Sequence, residues 1–303
     1  MPATSKKLDK SQDRITARVR LRRILFATDF STSANLAMPF AAKLADSFGA
    51  RLFLLNVLEP SNYALPPIGW QGLEVARDEE FNALVQSVQH ERPGLLSPQI
   101  LKSEGIVWSE VVEAVRKNDI DLVVIGTRGR TGLGRAFLGS QAEEILRHSK
   151  VPVYTIGPNI GTPASQRGYL RSIVFATDFG PASLAATPYA VSLAEEFATR
   201  LALVHVFAKH EHGDYAPGGN AADCERRLEA MLPTDAKFWA DPTFIVEHGE
   251  PWKKILEIAQ KKDANLIVLG AYPPSPTVVG ARNTVHNVIT HAHCPVLTVP
   301  PQN

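Results

Sequence analysis

Cysteine is scarce in this sequence. The 303 residues include only two, Cys224 and Cys294, which stand far apart in the chain. Two distant cysteines do not make a disulfide framework of the kind that small secreted domains use. The cysteine content therefore argues against a disulfide-stapled fold and favours a reducing, cytoplasmic location.

Net charge and long apolar runs are also missing. The chain has 32 Lys and Arg residues against 31 Asp and Glu residues, so its formal net charge is +1. It lacks the basic excess of a general nucleic-acid-binding or membrane-surface protein. No apolar run approaches the roughly 18 residues that a membrane-spanning helix needs. We therefore expect neither nucleic acid nor a membrane among its partners.

The N-terminal segment is polar and basic. Residues 1–21 contain no apolar core like that of a secretory signal peptide. We expect them to form a flexible, solvated arm, and the alternative is an arm that binds a partner.

The sequence repeats itself once. The stretch that begins "ILFATDFSTSANLA" at Ile24 aligns without a gap with "IVFATDFGPASLAA" at Ile173, at a constant offset of 149 positions. A period this long indicates a duplicated domain and not a solenoid. The predicted domains are residues 22–157 and 171–300, and the Gly-, Pro- and Ser-rich residues 158–170 form the linker.

Short apolar strands alternate with amphipathic helices in each half. This rhythm predicts a parallel sheet with helices on both faces, because parallel strands need crossover helices. In the first half, Thr32 or Ser33 is expected to cap a helix that ends at Gly49, and Pro39 is expected to kink it as Pro188 kinks its counterpart. A second helix is predicted over residues 73–91, after a Pro-rich loop.

One loop of the first half is unusually rich in glycine. Five glycines occur between Gly126, which ends an apolar strand, and Gly139, which precedes a helix. Such a loop lets backbone N–H groups and a helix N-terminus approach a phosphate. Ser140 is expected to be the N-cap and to form a capping box with Glu143. The alternative is an ordinary cap behind a surface loop that binds nothing.

Two familiar nucleotide motifs do not fit this loop. "GRAFLGSQ" has the glycine spacing of a P-loop but lacks its Lys. A dinucleotide-binding fingerprint follows the first strand of a domain, whereas this loop follows the fourth predicted strand.

The loop resembles that of the universal stress protein family, whose nucleotide-binding members carry Gly, two residues, Gly, nine residues, and then Gly-Ser or Gly-Thr. Gly126, Gly129, Gly139 and Ser140 match this spacing. The resemblance covers residues 22–157 and 171–300. It implies two tandem flavodoxin-like or Rossmann-like α/β domains, each a five-stranded parallel sheet with helices on both faces. It also implies ATP as the ligand, with or without Mg²⁺. The implied site residues are Ala27, Thr28, Asp29, Val57, Ile125, Gly126, Gly129, Arg130, Gly139 and Ser140.

In the family, the Asp after the first strand lies by the adenine, the residue at the position of Val57 packs on the base, and the Gly-rich loop holds ribose and phosphates. The second half departs from this pattern: Pro273 replaces Gly129, and Arg282 with Asn283 replaces Gly139 with Ser140. Since proline has no N–H and Arg282 is bulky, we expect the second domain to bind ATP weakly or not at all.

Family members commonly dimerise through their last strand. The resemblance therefore implies an internal pseudo-dimer in which "VPVYTI" pairs with "CPVLTV", and it leaves room for a homodimer of chains. Other protein partners are not predicted.

Catalytic and metal-binding signals are weak. His291, His293 and Cys294 match no standard zinc spacing, so an ordinary turn is expected there and no metal site. Glu143 and Glu144 fall in a first helical turn, where acidic residues are common because the helix dipole favours negative charge there. We therefore predict an ATP-binding stress-response or regulatory protein without a catalytic residue. The alternatives are a slow ATPase or phosphotransfer enzyme and an interaction scaffold that binds no nucleotide.

Overall fold

A computed structural model describes residues 18–59, 67–127, 138–157, 159–160, 170–208, 220–271 and 279–302, with backbone alone at residues 33, 67–71, 237 and 279–283. Two compact units divide the chain near residue 168.

The first domain contains a five-stranded parallel sheet in the order β3-β2-β1-β4-β5. Its elements in chain order are β1 (Arg23–Ala27), α1 (Thr32–Asn35), α2 (Met38–Phe48), β2 (Arg51–Leu58), α3 (Pro67–Glu91), β3 (Gln99–Glu104), α4 (Val107–Lys117), β4 (Leu122–Gly126), α5 (Ser140–His148) and β5 (Val153–Ile156).

The second domain has the same parallel sheet, in the order β8-β7-β6-β9-β10. Its elements are β6 (Ser172–Ala176), α6 (Pro181–Glu196), β7 (Arg200–Ala208), α7 (Ala221–Glu229), a short 3₁₀ turn (Ala236–Phe238), β8 (Thr243–Gly249), α8 (Pro251–Lys261), β9 (Leu266–Gly270), α9 (Val279–His291) and β10 (Val296–Val299).

Helices on both faces bury the central strands of each sheet. Every residue of β6 is buried, and so are four of the five residues of β4. These strands read as unbroken apolar runs because neither of their faces meets water. Strand order reverses between β1 and β4, where Ala27 pairs with Ile125, and a crevice at such a point is the usual ligand site of an open α/β sheet.

The helix after β1 differs from its prediction. It is broken into α1 and α2, and Pro39 lies in the first turn of α2. The N-cap is Ser31, whose Oγ accepts the N–H of Ala34 at 3.2 Å, so neither Thr32 nor Ser33 is the cap. In the second domain, α6 runs continuously through Pro188. The proline thus falls at a break in one copy and inside a helix in the other.

The second helix is longer than predicted. It begins at Pro67 and not at residue 73, and it therefore includes part of the segment read as a Pro-rich loop. Proline suits the first position of a helix because the N–H that it lacks would have no intrahelical acceptor there. Proline density alone misplaced the start.

His205 lies in the second domain where Asn56 lies in the first. Its Nδ1 atom is 2.8 Å from the carbonyl oxygen of Thr177, which matches the bond from Asn56 Nδ2 to the carbonyl oxygen of Thr28. Burial lowers the pKa of His205 below 6.5, and nearby Arg227 lowers it further, against the opposing effects of the Thr177 bond and Asp178.

The pH dependence of stability follows from this lowered pKa. As the pH falls, His205 is protonated near pH 6.5 in the unfolded chain and only at lower pH in the folded chain. The contribution of neutral His205 to the free energy of unfolding is therefore fully present above pH 6.5 and is lost as the pH drops below it. We expect His205→Asn, which copies the first domain, to lose less stability between about pH 7.5 and pH 5.5. Thermal unfolding of the full chain at both pH values measures this. An equal loss in parent and variant would contradict the assignment.

Candidate functional site

A cavity of about 170 Å³ lies at the carboxyl ends of the first domain's central strands. Eight of the ten predicted site residues line it, and the other two, Gly129 and Arg130, lie outside the described residues. The eight are Ala27, Thr28, Asp29, Val57, Ile125, Gly126, Gly139 and Ser140. The structure thus brings together residues that are more than a hundred positions apart, and their role in ligand binding stays a prediction.

A strained turn places Asp29 at the cavity. Phe30 has a φ of +61°, a conformation that costs a bulky residue about 1–2 kcal/mol. Its N–H donates to Thr28 Oγ1 at 2.9 Å, and its ring packs edge-on against Phe81 with centroids 5.0 Å apart. The N–H of Ser31 donates to Asp29 Oδ1 at 3.0 Å. These contacts fix the Asp29 carboxylate at the mouth of the cavity.

The same turn occurs in the second domain. Phe179 has a φ of +60° and donates its N–H to Thr177 Oγ1 at 2.9 Å. The N–H of Gly180 donates to Asp178 Oδ1 at 2.8 Å. Because both copies keep a bulky residue in this conformation, the turn is a property of the repeated domain.

A buried arginine fastens the strand ends beside the cavity. Arg77, on α3, donates from Nη2 to the carbonyl oxygens of Asn56 (2.6 Å) and Ser103 (2.9 Å), at the ends of β2 and β3. Its Nη1 pairs with Glu74 at 2.9 Å, and this pairing helps to keep the pKa of Glu74 low against the effect of burial. No sequence pattern marks Arg77, because its position within a charged helix gives no sign of burial.

A backbone hydrogen bond joins the residues on either side of the Gly-rich loop. The N–H of Gly139 donates to the carbonyl oxygen of Thr127 at 2.9 Å, and the N–H of Thr127 donates to the carbonyl oxygen of Ile156 at 3.0 Å. The loop is therefore closed at its base, and the start of α5 is held against the ends of β4 and β5.

The predicted capping box is wrong. Gly139 is the N-cap of α5, and Ser140 is already the first helical residue. The first intrahelical N–H bond runs from Glu143 to the carbonyl oxygen of Gly139, at 3.0 Å. The N–H groups of residues 140–142 precede it, and a glycine N-cap has no side chain to offer them. A helix start of this kind favours an anion, because N–H groups and helix dipole both point at it.

Several lining residues were not predicted. They are Ala34, Leu55, Val107, Val111, Thr127, Gln141, Ala142 and Ile145. Val107 and Val111 share the face of α4 that packs on the sheet, a spacing of four that is visible in the sequence. Gln141 donates from Nε2 to Glu59 Oε1 at 3.1 Å, and this bridge from α5 to the end of β2 has no sequence signature.

The candidate zinc residues of the second domain have other contacts. His291 Nδ1 is 2.8 Å from the carbonyl oxygen of Asn287, and its ring packs against Trp252. Cys294 is buried, and burial raises the pKa of its thiol to about 12. Within the described ranges, no group of three His, Cys, Asp or Glu residues is arranged to hold a metal ion. None of the helices that the structure describes has the length and hydropathy to cross a membrane.

Comparison with known proteins decides the family. The profile of the "Universal stress protein family" matches residues 20–157 and 170–300, which is most of the chain. The chain belongs to the universal stress protein family. It carries two copies of the family's domain in tandem.

Relatives agree with this membership. A universal stress protein of Methanocaldococcus jannaschii is 32% identical over 140 residues, which cover 45% of this chain and 81% of that protein. One from Mycolicibacterium smegmatis is 26% identical over 264 residues, 82% of this chain and 86% of its own length. The crystal structure of a universal stress protein from Archaeoglobus fulgidus superposes with a TM-score of 0.73 at 19% identity, covering 93% of this chain and 97% of that one. This last likeness concerns the fold.

Replacing Arg77 tests how the strand ends of this universal stress protein domain are held. Arg77→Met leaves the two strand-end carbonyls without their charged donor, and a hydrogen bond to a charged group contributes about 1.5–3 kcal/mol. We expect the free energy of unfolding of the first domain to fall by at least that much in urea titrations. Arg116→Met, at an exposed arginine on α4, is the matched control and should leave the unfolding midpoint close to that of the parent protein. Equal unfolding midpoints for the two variants would contradict this role.

Proposed function

We propose that the first domain binds ATP and that the protein acts as a nucleotide-binding regulatory module in a stress response. One observation carries the proposal: α5 begins at the crevice with three N–H groups ahead of its first intrahelical bond, beside a cavity with apolar walls. Such a start suits a phosphate, and an apolar slot suits a base.

The size of the cavity fits one part of a nucleotide. About 170 Å³ is less than the roughly 300–1,000 Å³ typical of sites that enclose a whole drug-sized ligand. A single ring system suits this space, between Val57 and Ile125 and near Asp29. Ribose and phosphates then belong at the rim, at Gly126, the Gly-rich loop and the N–H groups of residues 140–142. A bound Mg²⁺ would neutralise phosphate charge.

The second domain starts the matching helix earlier. A Trp–His contact marks the same point in both copies: Trp108 stacks on His148 in the first, and Trp252 packs against His291 in the second. Counting back from His148 and His291, the counterpart of Ser140 is Asn283. Because α9 begins at Val279, residues 283–285 lie beyond its first turn and their N–H groups face intrahelical acceptors. This favours one nucleotide per chain, bound in the first domain.

Binding is favoured over turnover. Glu143 and Glu144 both pair with Arg147, at 3.5 and 3.3 Å, so these carboxylates are engaged along the body of α5. Slow hydrolysis or phosphotransfer is the second candidate, and Mg²⁺-dependent turnover that disappears on replacement of Ser140 would support it. A scaffold that binds no nucleotide is the third, and protein purified free of adenine nucleotide with no thermal shift on adding ATP would support that one. Pairing of β5 with β10, a homodimer and a cytoplasmic location stay predictions.

Gly139→Arg, which copies the second domain, tests the site. Gly139 has ordinary extended dihedral angles, φ −62° and ψ 142°, so arginine fits the backbone and acts by filling the space before α5. Losing two contacts to a charged phosphate, at about 1.5–3 kcal/mol each, should weaken ATP binding by about a hundredfold or more. Isothermal titration calorimetry measures affinity and stoichiometry, and mass spectrometry of molecules released on denaturation identifies any bound nucleotide.

Arg282→Gly is the matched control in the second domain. It introduces the first domain's glycine inside α9, whose start lies upstream at Val279, so we expect the stoichiometry to stay at one ATP per chain. Unchanged affinity in Gly139→Arg, or two equal sites in the parent protein, would overturn the proposal.

A further inference from the structure

The second domain contains a larger cavity at the matching place. It measures about 380 Å³ and lies at the carboxyl ends of β6, β7 and β9, whereas the first domain's cavity measures about 170 Å³. The larger volume falls within the roughly 300–1,000 Å³ usual for small-molecule sites. Much of its wall is apolar and consists of Val204, Val206, Ala208, Pro251, Ile255 and Leu269.

Two substitutions between the copies remove a side-chain bridge at this place. In the first domain, Gln141 donates to Glu59 across the edge of the cavity at 3.1 Å. Ala208 occupies the position of Glu59 at the end of the matching strand, and Thr284 occupies the position of Gln141. Alanine cannot form this bridge, and both Ala208 and Thr284 line the cavity.

The polar end of this cavity lacks the helix start that favours an anion in the first domain. Asp178 Oδ1 accepts hydrogen bonds from the N–H of Gly180 and from the hydroxyl of Ser183, which stands where the first domain has Ala34. The carboxylate is thus held in place by its own chain, as Asp29 is in the first domain, so the difference between the copies lies at the helix start. In the first domain, the N–H groups of residues 140–142 would offset the charge of a phosphate. Their counterparts at residues 283–285 lie beyond the first turn of α9.

Gly270 does not mark a leftover phosphate loop. A Cβ atom at this position would lie 2.3 Å from the backbone nitrogen of Ser183, so only glycine lets α6 approach β9 this closely. Its retention is explained by packing.

We propose that this cavity is a second small-molecule site, which takes an uncharged, largely apolar ring compound of about nucleoside size and rejects phosphorylated molecules. The inference goes beyond nucleotide binding by the first domain and does not depend on it.

Nile red, an uncharged apolar ring compound, is a suitable probe for the full-length chain. We expect saturable fluorescence enhancement with one dye per chain, and saturating ATP should leave it unchanged. The double variant Ala208→Glu with Thr284→Gln rebuilds the first domain's bridge and should weaken dye binding at least tenfold. Ala208 is exposed at the end of β7, so Ala208→Glu alone serves as a second variant that preserves the fold.

Ala221→Glu is the matched control, because it adds the same side chain at an exposed position on α7 that does not line the cavity. It should bind the dye like the parent. Non-saturable dye binding, equal affinity in the bridge variants, or displacement of the dye by ATP would overturn the proposal. Loss of ATP binding with dye binding retained would overturn the function proposed for the first domain and support this one.

Discussion

The residue at which a helix begins decides what each domain can hold at the switch point of its sheet. In the first domain, the bond from the Gly139 N–H to the Thr127 carbonyl oxygen holds the start of α5 against β4. The N–H groups of residues 140–142 therefore have no acceptor within the helix. In the second domain, α9 begins four residues before the matching position, at Val279. The two domains thus have sheets of the same strand order but chemically different helix starts.

The remainder of the crevice diverged less after the duplication. Both copies keep the strained turn at Phe30 and Phe179, and both keep an aspartate held by N–H groups of that turn. Both also tie a side chain of the second strand to the carbonyl oxygen of the first-strand threonine, with asparagine in one copy and histidine in the other. The turn is part of the fold and not a mark of one ligand, so its presence in the second domain does not argue for ATP there.

Local patterns in the sequence predict the parallel sheets, and the resemblance to the universal stress protein family predicts much of the cavity. Apolar strands, the glycine spacing and the aspartate after β1 are all visible in a short window of residues. No short window of residues shows the bridge between Gln141 and Glu59, which are 82 positions apart. The same holds for the bonds of Arg77, whose partners are 21 and 26 positions away. These contacts depend on how neighbouring elements pack together. The helix starts were misread for local reasons: Ser140 suits both the N-cap and the first helical position, and the prolines before residue 73 suit a loop as well as the first turn of a helix.

The most direct test of this account is a crystal structure of the chain with ATP and Mg²⁺. We predict phosphate oxygens within hydrogen-bonding distance of the N–H groups of residues 140–142 and no phosphate near residues 283–285. Phosphate density at the start of α9, or ATP bound without any contact to the start of α5, would contradict the claim that the helix start selects the ligand.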